Sequence, residues 1–126
     1  MVSNGLRTWF VIHFIADILF AIPLLVAPVA FLTLLGWTAV DPYATRIVGA
    51  ALMGIGLESY LGRNAGIEAF QGMLNLKIIW AVTVIIGTIV TMTTGYRPWG
   101  VWLLLAFFIP FSNIWIYYRF QLRNNS

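Results

Sequence analysis

The chain has 126 residues, of which 61% are hydrophobic and 9% are charged, and its mean hydropathy is +0.91. Soluble domains are far less apolar, so the composition excludes an ordinary soluble globular protein. The seven basic residues form no stripe or run, which argues against nucleic-acid binding, and the absence of cysteine excludes disulfides and thiol chemistry.

The first apolar stretch predicts a helix over about residues 6–26, with Pro23 and Pro28 bending or ending it. The segment that follows, up to Gly36, is too short to span a bilayer again, and we expect it either to be a kinked extension of this helix or to lie at the membrane interface. Because Asp17 interrupts the apolar stretch, we interpret it as a permanent helix rather than a cleavable signal peptide.

Asp41 and Pro42 predict the start of the second helix, since aspartate caps free amides and proline suits the first helical position. This helix is predicted over about residues 42–61, ending at Gly62 in the left-handed conformation. The third helix is predicted over about residues 68–93.

The fourth helix is predicted over about residues 99–118, with tryptophans and tyrosines at both ends and a polar tail beginning at Arg119. A bilayer-spanning helix needs about 20 mostly apolar residues, which each of the four segments provides. We therefore predict an all-α fold, an integral membrane four-helix transmembrane bundle with up-down topology, in which residues 1–126 form a single domain.

The basic residues also predict the orientation, because cytoplasmic loops are enriched in them. Two arginines fall on one side, Arg46 and Arg97, and four fall on the side shared by both termini and the second loop, Arg7, Arg63, Arg119 and Arg123. Both termini are therefore expected in the cytoplasm, as in a multi-pass protein of a prokaryotic plasma membrane. Arg46 is expected to pair with Asp41 or with a lipid phosphate.

Polar residues inside the predicted helices are the candidate functional residues, because lipid makes a charge costly unless it is paired or hydrated. At about 1.5 Å of rise per residue, all four helices contribute such groups to the same cytoplasmic half. The candidates for ligand binding or proton relay are His13, Asp17, Glu58, Asn75, Lys77 and Asn113.

Asp17 is predicted near the middle of the membrane, where a short carboxylate cannot reach water. We expect it to be protonated or bonded to His13 or Lys77. Structural polar contacts are the favoured interpretation of the whole set, with Lys77 extending to the interface and pairing with Glu58. A single histidine without cysteine predicts no zinc or haem site, and no catalytic residue or cofactor is assigned.

Small residues mark the second helix as a packing surface, namely Gly49, Ala50, Gly54 and Gly56. Ala50 and Gly54 have the small-xxx-small spacing that lets two helices approach closely. Packing inside one bundle is favoured over dimerisation.

The order of these features resembles the small four-helix membrane families grouped as DoxX-like and their uncharacterised relatives. The residues that carry the resemblance are the Pro28 to Gly36 segment, Arg46 and the four small residues of the second helix. The resemblance implies a compact four-helix bundle that is sometimes associated with a partner membrane protein. It implies no catalytic residue.

The sequence favours a non-enzymatic membrane protein, either an accessory subunit of a membrane complex or a binder of a lipid or small apolar ligand, with membrane lipid, another membrane protein or a second copy as partner. The alternative is a proton-coupled transporter or channel that uses Asp17, Glu58 and Lys77. That alternative is less favoured because many transporters contain inverted repeats, and helices 1 to 2 show no convincing similarity to helices 3 to 4. A lipid-modifying enzyme with His13 and Asp17 as an acid-base pair is favoured least.

Overall fold

In the computed structural model, which describes residues 2–125, all regular secondary structure is helical. The five helices are α1 (Asn4–Val26), α2 (Pro28–Leu34), α3 (Pro42–Leu61), α4 (Ile67–Thr93) and α5 (Gly100–Asn125). Three of them, α1, α4 and α5, are long and apolar enough to cross a membrane. The all-helical membrane protein predicted from composition is confirmed at this level.

The second predicted span, α3, differs from the other long helices in composition. It has 20 residues, which is long enough to cross a bilayer, but it is not one of the three candidate spans. Arg46 and Glu58 lie within it, and small residues replace the large aliphatic side chains that dominate α1 and α4. Of the four predicted spans, three are confirmed as candidate spans, and the crossing by α3 stays a prediction.

The chain forms two compact units. The first hairpin, residues 3–65, contains α1, α2 and α3, and α1 packs along α3. The second hairpin, which begins at Gly66, contains α4 packed against α5. In each hairpin the long helices run antiparallel, because the start of one lies against the end of the other.

Arginine side chains hold both ends of the first hairpin. Near the start of α1, the Arg7 guanidinium donates to the backbone carbonyls of Arg63 and Ala65, just beyond the end of α3. Near the start of α3, Arg46 Nε donates to the Leu25 carbonyl at the end of α1, 3.0 Å away. Each helix thus provides a cation for the free carbonyls at the end of its neighbour. In this contact the partner of Arg46 is a backbone carbonyl, and its pairing with Asp41 or with a lipid phosphate stays a prediction.

The kink after α1 follows from its prolines. Pro28 occupies the first position of α2, where a missing N–H costs nothing, and Ala27 between the two helices leaves the helical conformation. At the end of α2, Gly36 has a φ of 97°, and the N–H groups of Gly36 and Trp37 donate to the carbonyls of Thr33 and Leu32. This is the Schellman arrangement, for which glycine is the least strained residue.

Two of the predicted helix ends are wrong in detail. Gly62 does follow the last residue of α3, but its φ is −87°, because its N–H continues the helical pattern by donating to the Glu58 carbonyl. Helix α5 continues beyond the predicted end at residue 118 to Asn125. Leu122 explains the extension: it is buried, seven residues after the buried Trp115, so the apolar stripe runs into the polar tail.

Candidate functional site

The first hairpin buries a histidine and a carboxylate together on α1. His13 and Asp17 are 3% and 1% exposed, and His13 Nε2 lies 3.3 Å from Asp17 Oδ1. Residues four apart on a helix share one face, so the spacing in the sequence already permits this contact. The expected partnership of Asp17 with His13 is present in the structure, as an ion pair when the imidazole is protonated.

Two glycines of α3 set the distance between α3 and α1. A Cβ atom at Gly56 would lie 2.8 Å from the Asp17 Cβ, and one at Gly49 would lie 3.0 Å from Leu25 Cγ and 3.1 Å from Leu24 Cβ. All three distances are shorter than ordinary carbon contacts, so any larger residue would push the helices apart. The backbone of α3 therefore forms the wall that covers the Asp17 side chain.

Ala50 and Gly54 lie away from this wall. Both are exposed, and a Cβ at Gly54 would have nothing within 4 Å. A helix advances about 100° per residue, which separates Ala50 from Gly49 although they are adjacent in sequence. The buried stripe of α3 instead consists of Thr45, Gly49, Leu52, Gly56 and Ser59. The four small residues predicted as one packing group thus lie on two different faces.

Glu58 is exposed and does not belong to the buried stripe. It lies two residues after Gly56, about 200° around the helix from the face that meets α1. Glu58 was predicted to be an interior polar residue from its depth in the membrane alone. Depth does not define the side of the helix on which a side chain lies. Ser59 is the buried polar residue of this turn, and its hydroxyl donates to the Ile55 carbonyl.

The second hairpin buries a lysine against an aromatic ring. Lys77 is 2% exposed, and its Nζ lies 5.1 Å from the centroid of the Trp115 ring on α5, which is itself 1% exposed. A cation over an indole face is attracted by the ring quadrupole, more strongly when water is excluded. The predicted extension of Lys77 to the interface is not what the structure shows, because the side chain is enclosed within the protein.

The two amide candidates lie at the surface of the second hairpin. Asn75 is exposed on α4, and its Oδ1 accepts a hydrogen bond of 2.8 Å from Arg119 Nε on α5. Asn113 is exposed, whereas its neighbour Ser112 is buried and donates to the Ile109 carbonyl. The Asn75 contact therefore acts as a cross-link between α4 and α5.

One polar group of the second hairpin was missed by the sequence reasoning. The indole Nε1 of Trp80 is buried and has no hydrogen-bond acceptor among the residues that the structure describes. Its ring meets the ring of Phe108 edge to face at 6.4 Å. On α5 a run of ring contacts continues along one face through Phe107, Phe111 and Trp115. The sequence signal was the position of Trp80 three residues after Lys77, far from the helix ends where tryptophan is usual.

These side chains offer protonation and hydrogen bonding rather than metal binding. Within residues 2–125, no group of three histidine, aspartate or glutamate side chains is suited to hold a metal ion. In the first hairpin, the structure brings together His13, Asp17 and Gly56. In the second, it brings together Lys77 with Trp115, and Asn75 with Arg119.

Comparison of the chain with protein-family models, with curated proteins and with solved structures gave no match.

Proposed function

We propose that this protein is a multi-pass, non-enzymatic membrane protein that binds a lipid or small apolar ligand or serves as an accessory subunit of a larger membrane complex. The observation that carries this proposal is the apolar outer surface of the long helices. Large aliphatic side chains remain exposed at mid-helix positions, among them Leu19, Ile79 and Ile86. A surface of this kind requires lipid or an apolar protein partner to cover it.

The proposed topology has four membrane crossings, with α3 as the fourth. Contacts join α3 to α1 along their whole length, from Arg7 at one end, through Asp17 and Gly56, to Arg46 at the other. A helix that accompanies α1 over this length occupies the same range of depth, so α3 crosses wherever α1 crosses. We infer an up-down topology with four transmembrane helices, as in the four-helix bundle that the sequence predicts.

The excess of arginine near the termini and the second loop supports cytoplasmic termini, in a prokaryotic plasma membrane. The accessory-subunit role draws further support from the resemblance in layout to the DoxX-like families. That resemblance rests on the sequence alone.

Gentle extraction from native membranes followed by native mass spectrometry tests the proposal. We expect a lipid, a small molecule or a second protein to remain bound at a fixed ratio, and to be displaced by harsh detergent. A protein that carries only exchangeable bulk lipid, in proportion to its concentration in the membrane, would contradict both forms of the proposal.

A second candidate, a proton-coupled transporter or channel, is favoured specifically by the His13–Asp17 contact. Two titratable side chains touch inside a candidate membrane span, where ionisable residues often mark proton pathways. The exposure of Glu58 leaves Asp17 and Lys77 as the buried residues of this hypothesis. Proton uptake into liposomes that is lost in Asp17→Asn and kept in Glu58→Gln would support it, and no uptake by the unaltered protein would reject it.

A further inference from the structure

The Trp80 indole occupies an unusual place for an unsatisfied donor. Trp80 is the central residue of α4, thirteen residues from Ile67 and thirteen from Thr93, so about 20 Å of helix lies on either side. Its Nε1 is buried and has no hydrogen-bond partner among residues 2–125. A donor without an acceptor in an apolar environment loses the hydrogen bond that water would give it, so this buried N–H calls for an explanation.

The groups near Trp80 on the described hairpin do not readily supply that acceptor. Lys77, three residues earlier on α4, offers only donors, as does the indole itself. The Phe108 ring lies 6.4 Å from the Trp80 ring, and an aromatic face is a weak acceptor compared with oxygen. Pro110 lacks an N–H and therefore leaves the Ala106 carbonyl on α5 without its helical donor, but that carbonyl does not accept a hydrogen bond from Trp80 Nε1.

We propose that the second hairpin binds a small membrane-soluble molecule through a neutral carbonyl-type oxygen, which accepts a hydrogen bond from Trp80 Nε1. This inference rests on the proposed ligand-binding function and names the class of ligand. The rings of Phe108 and Trp80 form the apolar side of the site. Trp80 as a whole is partly exposed, whereas its Nε1 is buried, so a molecule that reaches the N–H from the membrane must displace the side chains that cover it.

Depth decides the kind of ligand. The hydrocarbon core is about 30 Å thick, so ester carbonyls of phospholipids lie roughly 15 Å from the level of a helix centre and do not reach Trp80. A carboxylate or phosphate is costly at that depth. A ketone-like oxygen on an otherwise apolar molecule combines the required acceptor with free partition into the bilayer.

The test observes the indole N–H directly. The chain has six tryptophans, so the protein with isotope-labelled indole nitrogens, purified and placed in nanodiscs of saturated phosphatidylcholine, gives six resolvable resonances. Trp80→Phe keeps an aromatic ring, removes the N–H and assigns one resonance. Trp102→Phe, at an exposed position on α5, is the matched control. The probe is a long-chain methyl ketone, and the alkane of the same length controls for simple partition.

We expect the ketone to move the Trp80 resonance downfield in a saturable manner, while the alkane leaves it unchanged and Trp102→Phe responds like the unaltered protein. An equal, non-saturating drift of all six resonances would overturn the proposal. A Trp80 resonance that does not respond to the ketone would also overturn it. If, in addition, Phe108→Leu moved the Trp80 resonance without ketone, the Phe108 ring would be identified as the acceptor of the indole N–H.

Native mass spectrometry separates failure of this site from failure of the proposed function. A native small molecule that is retained by the unaltered protein and by Trp102→Phe, but reduced at least tenfold in Trp80→Phe, supports the site. A molecule retained equally by Trp80→Phe contradicts the site while leaving the ligand-binding function in place. Loss of all specific ligands and partners contradicts the proposed function itself.

Discussion

The two hairpins bury an ionisable residue at the same place on the same kind of stripe, but accommodate it differently. The buried residues of α1 begin Leu6, Phe10, His13, Asp17, and those of α4 are Phe70, Leu74, Lys77, Ala81. Both series have the spacing four, three, four, and both have a basic residue in third position. The first hairpin places a carboxylate one turn further along, whereas the second has an alanine there.

The opposing helix differs accordingly. In the first hairpin, Gly56 brings the α3 backbone against Asp17, so the polar pair is enclosed by close helix packing. In the second, Trp115 fills the space and presents a ring to Lys77. A buried basic group can thus be stabilised by a neighbouring carboxylate where two helices pack closely, or by an aromatic ring where a large side chain separates the helices.

The largest expected effect comes from removing the carboxylate of the first hairpin. Asp17→Ala should lower the free energy of unfolding by about 3 kcal/mol, because loss of one partner leaves the other buried without it. The measurement is an SDS titration followed by circular dichroism. Glu58→Ala, which alters an exposed carboxylate on α3, is the control and should change stability by less than about 0.5 kcal/mol. Similar small effects for both variants would show that the pair does not hold the hairpin.

The close approach of the first hairpin is tested by adding one methyl group. Gly56→Ala should destabilise the protein by about 2 kcal/mol, since the new Cβ would lie 2.8 Å from that of Asp17. Gly54→Ala adds the same group where nothing lies within 4 Å, and should be neutral or stabilising by less than about 1 kcal/mol, because alanine favours helix. Equal losses in the two variants, measured by the same titration, would contradict the packing described for α3.

The aromatic arrangement of the second hairpin predicts a smaller effect. Trp115→Phe should cost about 1 kcal/mol, because a smaller ring is a poorer partner for the Lys77 ammonium and fills less of the buried space. Trp102→Phe, at an exposed position, should be close to neutral. Trp115→Phe is then also made in a Lys77→Met background. If Trp115→Phe no longer lowered the free energy of unfolding there, the cation–ring contact would be the cause of the loss. An unchanged loss would assign it to packing alone.

The smallest expected effect concerns the hairpin ends. Arg46→Gln removes the donor to the Leu25 carbonyl at an exposed site and should cost less than about 1 kcal/mol. Arg97→Gln, which removes the corresponding contact with the Met92 carbonyl at the end of α4, should cost about the same. A loss above about 2 kcal/mol in either variant would mean that the cation has a further role at that end.

The sequence predicted those features that depend on spacing within one helix. The start of α3 at Asp41 and Pro42, and the contact of His13 with Asp17, follow from local preferences and from the helical repeat. The position of Lys77 against Trp115 depends on how α4 and α5 are aligned, which no local pattern encodes. The exposure of Glu58 could have been predicted from the sequence, since the angle around α3 between Glu58 and the buried Gly49 and Gly56 follows from the helical repeat.

The proposed topology is tested most directly by asking whether α3 crosses the membrane together with α1. Because the chain has no cysteine, single cysteines at Asn4, Ala39, Asn64 and Thr94 each give one unique target for a membrane-impermeant maleimide in intact cells and in inverted vesicles. We predict that Asn4→Cys and Asn64→Cys react from the cytoplasmic side, and that Ala39→Cys and Thr94→Cys react from the opposite side. Labelling of Ala39→Cys and Asn64→Cys from the same side would contradict the proposed topology, because α3 would then not cross.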